Sequence, residues 1–511
     1  MSLSLVQSRA LLGLDAAAVT VEVHLANGLP TFTLVGLADV EVKEARERVR
    51  SAIQNSGLEF PNNKTRTVNL APADLPKDSG RFDLPIARGI LAASDQIDAA
   101  KLAGHEFAGE LSLSGELRSV CGALVMSLAL HPARVVTQLV LPSGSAEEAA
   151  LVPGAQVYRA RHLLDAVQHF LPDGPTIQTL EPSTGWYRLA AQTEVQPASY
   201  HDMSDVKGQS GAKRALEIAA AWGHSLLLMG SPGAGKSVLA RRFAGLLPAV
   251  TTDEALENAA VASLGGRFSL ASWGQRPTCH PHHTASAVAL VGGGSPPRRR
   301  EISLAHQGVL FLEELPEFPR AALEALREPL KKGRITISRA ARRADFPERF
   351  QLIAAKNPCP CGYLGSSQKS CRCTPNQVAR YQGKLSGPLV DRIDLHLEVP
   401  AVNPADLTGA PPGEPTASIR ARVAAARARA ITRQGVTNQA LQGQALDAHL
   451  LLDEAAVKFL NVAAARLGWS ERSTHRALKV ARTIADLAGA ERTQVTHVAE
   501  AMQYRRTLTT S

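Results

Sequence analysis

The residues with the plainest chemistry form the run Gly230-Ser231-Pro232-Gly233-Ala234-Gly235-Lys236-Ser237, which satisfies G-x-x-x-x-G-K-[ST] in full. The apolar stretch SLLLM at 225–229 precedes it and VLARRFAGLL follows, so a strand, a loop and a helix are expected in that order. Glycines let successive backbone N–H groups wrap phosphate oxygens, and the helix N-terminus adds its positive end. Lys236 supplies a cation to the β and γ phosphates, and the Ser237 hydroxyl is placed for a metal. ATP and Mg2+ are the cofactors implied.

Two further apolar runs end in polar residues suited to the same chemistry. GVLFL at 308–312 ends in Glu313 and Glu314, an arrangement that puts one carboxylate on Mg2+ and the next on an attacking water. The first acid is usually Asp. The extra methylene of Glu313 lengthens the reach to the metal's water shell, which leaves open an altered metal geometry or a slower turnover. FQLIAA at 350–355 runs into Lys356-Asn357-Pro358, and an amide at the end of a central strand can hydrogen-bond a γ-phosphate or the attacking water.

These residues need a scaffold of parallel strands, and the chain has room for one. Its 511 residues suffice for about three domains at the usual ~150 residues each. Residues 1–170 mix alternating runs such as VTVEVHL and TFTLVGL with the helical VEVKEARERVRSAIQNSG, an α/β pattern. Residues 171–200 are rich in Pro, Thr and Gly and read as a linker. Residues 201–400 hold the phosphate chemistry, and 401–511, beyond a second Pro/Gly-rich joint, read as all-helical. The N-terminus lacks a basic signal-type region and no apolar run is long enough to span a bilayer, so a cytoplasmic location without membrane partners is expected. A net charge of +9 attracts polyanions, while aromatic residues at 4% argue against broad base-stacking platforms.

With these strands placed, the chain resembles the Mg-chelatase-like AAA+ ATPases of the YifB/ComM family, nearest its ComM branch. The resemblance covers nearly the whole length. It is carried by Asp205-Val-Lys-Gly-Gln209, AKRALEIAAAWGHSLLLMGSPGAGKS, HHTASAVALVGGG, EISLAHQGVLFLEELPEF, REPLKKGRITISRA, NPCPCGYLG, LSGPLVDRIDLHLEVP and LKVARTIADLAG. It implies an N-terminal ribosomal S5/Lon-like domain, a central α/β P-loop core with a helix-2 insert, and a helical C-terminal lid. It implies a homo-hexamer on single-stranded or branched DNA, acting as a helicase or branch-migration motor with recombination proteins during integration of transforming DNA. Asp205 to Gln209 would lie near the adenine, and Asn357 would be sensor 1. Arg392 would be the finger that reaches a neighbour's γ-phosphate, or else an ordinary surface ion-pair residue. Arg472, with Arg476 as its rival, would be sensor 2. Lon's catalytic serine position falls on Arg81 and its lysine near Leu124, and Ser79 has no evident base, so peptidase activity is not expected.

Between Glu328 and the Asn357 strand, Lys332, Arg334, Arg339, Arg342 and Arg343 flank the β-favouring RITIS. In related motors a hairpin here enters the ring channel, where these cations would grip phosphates; a solvated basic face is the plainer alternative. The run Arg298-Arg299-Arg300 is a weaker candidate of the same kind. Cys359, Cys361, Cys371 and Cys373 form a CxC…CxC set suited to structural Zn2+ or to free thiols. His280, His282 and His283 invite a metal reading, but the residue pattern belongs to the insert. Cys121 and Cys279 read as small packed hydrophobes. The rival functions are a chelatase motor that remodels a metal-insertion partner, and a scaffold whose ATPase has decayed at Glu313.

Overall fold

A computed structural model describes residues 2–36, 39–77, 79–131, 137–172, 185–190, 200–291, 301–339, 342–366, 369–401 and 411–505, with the backbone alone for 40, 41, 43, 335–339 and 342–347. The chain forms two compact units. One comprises residues 1–196 with 251–274, and the other residues 197–250 with 275–511.

The first unit is built on strands β1 (Ser2–Leu12), β2 (Asp15–Asn27), β3 (Thr31–Val35), β4 (Lys64–Ala71), β5 (His105–Phe107), β8 (Gln138–Pro142), β9 (Gln156–Ala160) and β10 (Tyr187–Leu189), with a separate pair β6 (Glu110–Leu111) and β7 (Leu117–Arg118). The large sheet runs β10-β9-β8-β5-β1-β2-β4-β3. Strict alternation in β2 buries Val19, Val21, Val23 and Leu25 on one face. Against that face lies the wholly buried helix Asp83–Ala93. Gly89 permits the approach, since a Cβ there would meet Val23 Cγ2 at 2.4 Å. Ser79 accepts a hydrogen bond from Arg81 Nε at 2.9 Å, and Leu124 is buried in an apolar helix, so no serine–base dyad forms among the described residues at the places a Lon-type enzyme would need one.

Three features depart from the sequence reading. Within the stretch read as linker, Trp186 is buried against Tyr158 and His169, and the next three residues add β10 to the sheet edge. The Thr252–Leu264 helix, expected in the nucleotide core, belongs to the first unit, where Gly122 N–H donates to Ser263 O at 3.1 Å. Cys121 is exposed rather than packed.

The second unit holds a five-stranded parallel sheet ordered β12 (Thr278–Cys279), β13 (Val309–Leu312), β16 (Gln351–Lys356), β11 (Leu226–Met229), β17 (Leu395–Glu398). A two-stranded antiparallel hairpin, β14 (Arg334–Arg339) and β15 (Arg342–Pro347), lies between β13 and β16 in the chain. Helices Thr416–Gln434, Glu454–Arg466, Glu471–Leu487 and Val495–Gln503 form the C-terminal part. They share one apolar core with the sheet: Val423, Leu478, Ile484 and Val498 pack in the cluster that holds Leu226, Leu228, Phe311 and Ile353. No helix among the described residues is long and apolar enough to cross a membrane.

A buried polar hub ties helices to sheet. Asp394, at the start of β17, accepts from Arg476 Nη1 at 3.0 Å and from the Ser225 N–H at 3.2 Å. His224 lies 3.4 Å from the same carboxylate and 2.8 Å from Thr483 Oγ1. Burial alone would raise the Asp394 pKa, but bonds from His224 and Ser225 and the Arg476 charge outweigh it and hold the group well below the usual carboxylate range. Its stabilising contribution is therefore complete above about pH 4 and fades as pH falls below that value. Asp394→Asn is expected to cost about 3 kcal/mol at neutral pH. Denaturant titrations across pH check this: the gap from the parent should narrow in acid, and a gap that persists undiminished at pH 2 contradicts the assignment.

Candidate functional site

Parallel pairing in register brings the carboxyl ends of three strands to one edge. Met229 lies beside Lys356 on the neighbouring strand, and Leu312 beside Ala354, so the loops after β11, β13 and β16 open at the same level. Such an edge is where open α/β sheets bind ligands, because side chains and helix N-termini converge there. A cleft of about 370 Å³ occupies it, lined by Pro232 to Val238, Glu313, Glu314, Ala355, Lys356 and Asn357.

The loop after β11 wraps back on itself through glycine. Gly233 and Gly235 take φ of +80° and +87°, and a Cβ on Gly230 would lie 2.4 Å from the Val399 carbonyl oxygen. Gly235 caps the helix Lys236–Phe243, whose unpaired N-terminal amides face the cleft. Lys236 Nζ donates to Gly230 O at 2.7 Å, Ser231 O at 2.9 Å and Asn357 Oδ1 at 3.1 Å. The ammonium is thus held at the loop mouth by neutral acceptors that an anion can displace. Burial lowers its pKa and the Glu313 charge partly restores it.

The Ser237 hydroxyl donates directly to Glu313, so the two oxygens expected to hold Mg2+ already meet, and a cation set between them would keep both as ligands. Glu313 reaches this point despite its added methylene. Glu314 stands next to it with φ +55°, in the left-handed region, which turns its side chain away from the strand direction. Both acids face histidines: His280 Nε2 is 3.4 Å from Glu313 Oε2, and His283 Nδ1 is 3.1 Å from Glu314 Oε2. These partners were not legible as such. The one available signal was that the HPHH run directly follows β12, the strand beside β13.

Gln209 also reaches the loop, its Nε2 donating to Ala234 O at 2.7 Å, while Asp205 pairs with Arg242 of the following helix at 2.8 Å. Lys356 lines the cleft, with its pKa lowered by burial. It entered the sequence reading only as the residue before Asn357.

Arg392, Arg472 and Arg476 do not line this cleft. Arg392 donates to Pro388 O at 3.0 Å, and burial together with the charges of Arg327, Arg476 and Arg472 lowers its pKa. Arg476 is engaged by Asp394 and by the Arg392 carbonyl, whereas Arg472 is exposed near the start of its helix. Of the basic residues between 331 and 343, Arg339 and Arg342 pair across the hairpin's closed end, with Arg343 next to it and Arg334 and Lys332 at its base. The run 298–300 lies outside the described residues.

The loop after Asn357 carries the cysteines. Cys359, Cys361 and Cys371 place their sulfurs 3.4 to 3.6 Å apart, and the four Sγ atoms, Cys373 included, lie within 4.8 Å of one another. Backbone N–H groups of Arg372 and Tyr363 favour the Cys361 thiolate and bring its pKa down to about 6.

Comparisons with known proteins cover the same ground. The family described as magnesium chelatase, subunit ChlI, matches residues 202–407, and the related descriptions of subunit ChlI and its C-terminal region match 21–145 and 413–505. The chain is 47% identical over 507 residues to the uncharacterized protein YifB of Escherichia coli, covering 99% of this chain and 97% of that one. It is 47% identical over 515 residues to the competence protein ComM of Haemophilus influenzae, covering 99% and 98%. An uncharacterized protein of Mycobacterium tuberculosis is 39% identical over 519 residues, with 99% of each chain covered.

Replacing Lys236 removes the loop's cation and its link to Asn357. Lys236→Ala should weaken ATP binding by about 1.5–3 kcal/mol, or roughly tenfold to a hundredfold in Kd. Titration with a fluorescent ATP analogue measures this, and parental affinity in the variant contradicts the placement.

Proposed function

This chain belongs to the Mg-chelatase-like AAA+ family that includes YifB and ComM, and we propose that it is a ring-forming ATPase that translocates on branched or single-stranded DNA. ATP sits with its phosphates on the loop of residues 230–237, and Ser237 and Glu313 hold Mg2+. Glu314 draws a proton from the attacking water, and Asn357 orients that water or the γ-phosphate. Mg2+ supplies neutralisation of charge on the β and γ phosphates. Arg392 lies outside its own chain's cleft, where burial together with the nearby charges of Arg327, Arg476 and Arg472 lowers its pKa while Asp391 partly restores it. In the homo-hexamer of this reading, Arg392 meets a neighbouring subunit's triphosphate across the boundary. Arg472, free of the Asp394 pair that holds Arg476, serves as sensor 2.

The observation that carries the DNA reading is the β14–β15 hairpin. It is inserted between the strand bearing the acids and the strand bearing Asn357, with arginines at its closed end. The Glu348 N–H closes the hairpin base on Gly333 O at 2.8 Å, and the Gln307 N–H, two residues before β13, donates to Arg349 O at 2.6 Å. In this reading β13 and β16 carry a shift at the γ-phosphate from their carboxyl ends to the hairpin at their amino ends. Net charge of +9 and the likeness to a protein named for competence support the same reading, in which the motor works in the cytoplasm with recombination proteins on incoming DNA. A second reading, a motor that remodels a metal-insertion partner, is favoured by the descriptions of all three matching families.

ATP turnover with and without forked or four-way DNA separates these. Stimulation by DNA that weakens with salt supports translocation. Stimulation only by a second protein supports the chelatase motor, and near-zero turnover in every mixture supports a decayed scaffold. Glu314→Gln should lower turnover by roughly a hundredfold or more while ATP stays bound; a fully active variant removes Glu314 from the water-activating role. Replacing Arg342 and Arg343 together with Ala should bring DNA-stimulated turnover down toward the DNA-free rate. If stimulation survives intact, the hairpin is not the DNA contact.

A further inference from the structure

We propose that the four cysteines bind one structural Zn2+ and that this knot holds Asn357 and the phosphate loop in working register. The inference rests on the reading of the cleft as the nucleotide site, and it adds a metal and a positioning role to that site. Zinc with four thiolates at ~2.3 Å places its sulfurs ~3.8 Å apart, close to the 3.4–3.6 Å spacings among Cys359, Cys361 and Cys371. Sulfhydryls are weak hydrogen-bond partners and give little reason for several to crowd one point. A central cation does. The donor set is also the soft one that zinc favours over Mg2+ or Ca2+.

The position of the knot gives it work to do. Asn357 and Cys359 are separated by one residue, and Cys359 is fully buried. The Gly362 N–H closes a turn onto Cys359 O at 2.9 Å. Gly362 then lies flat on the phosphate loop: with φ at +83°, a Cβ there would sit 2.5 Å from Pro232 Cδ and 3.7 Å from Asn357 Cγ. At the far end, Cys373 directly precedes Thr374, which caps the helix Pro375–Gln382. The last turn of that helix comes back to the start. The Tyr381 hydroxyl is bonded to the Asn357 backbone, and Gln382 Nε2 donates to Pro358 O at 3.3 Å. Chain, knot and helix thus form a closed circuit around Asn357, with the metal as its fastener. Opening the circuit frees the amide that Lys236 holds and removes the support under Pro232.

The test uses full-length protein purified without added zinc. Elemental analysis should find one zinc per chain, released when a mercurial blocks the thiols, and Co2+ reconstitution should give the visible absorption of a tetrahedral thiolate site. Cys371→Ser with Cys373→Ser should abolish the metal. Gly362→Ala should keep the zinc but lower turnover by roughly tenfold to a hundredfold, with weaker binding of a fluorescent ATP analogue. That variant separates misplacement of the loop from failure to fold, because retained zinc reports an intact knot. Protein that folds and carries no zinc overturns the site. Zinc-loaded Gly362→Ala with parental nucleotide binding and turnover overturns the positioning role. Metal content and analogue binding are read without DNA, so failure of the translocase reading leaves both outcomes interpretable.

Discussion

Everything at the cleft depends on the parallel register of β13, β16 and β11. Side chains at strand ends can act on one phosphate only if the strands end at the same height, because a slip of one residue sends each side chain to the opposite face. The pairing of Leu312 with Ala354 and of Met229 with Lys356 sets that height. Apolar alternation on both faces fixes it: Leu226, Leu228 and Ile353 pack toward the helices of one core, and Leu227, Leu352 and Ala354 toward those of another.

On this frame the charged groups hold one another in check. Lys236 rests on two carbonyls and the Asn357 amide, while Glu313 takes the Ser237 hydroxyl and faces His280, and Glu314 faces His283. The partners of Lys236 are neutral oxygens, and the two acids meet a hydroxyl and two imidazole rings. A half-buried ammonium with only weak partners binds an incoming polyanion more strongly than one already locked in a buried ion pair, since that pair would first have to be broken.

Two features tie other parts of the same unit to the sheet. The hairpin springs from the connection between β13 and β16 and is pinned at its base by backbone bonds. The helical part is joined to the sheet through Asp394, His224, Arg476 and Thr483, a largely buried polar chain whose bonds tolerate few geometries. The same Arg476 that completes this hub also bonds the Arg392 carbonyl, whereas Arg472 is exposed near the start of that helix.

Much of this was legible from residue order. The phosphate loop, the paired acids, the strand ending in Asn357 and the CxC pairs are local patterns whose chemistry follows from spacing a few residues long. The basic hairpin announced itself by β-favouring residues between charged ones, and the helical C-terminal part by its helix formers. What depends on distant residues meeting was decided by the fold alone. Only packing could move Thr252–Leu264 into the first unit, draw Trp186 and β10 out of a linker, set His280 and His283 against the acids, and commit Arg476 to Asp394. The sequence settled which groups can take part in the chemistry, because that is a property of residue type and near neighbours. The tertiary structure settled which partner each group has, because burial favours a partner for a polar side chain and only the folded chain determines which is within reach.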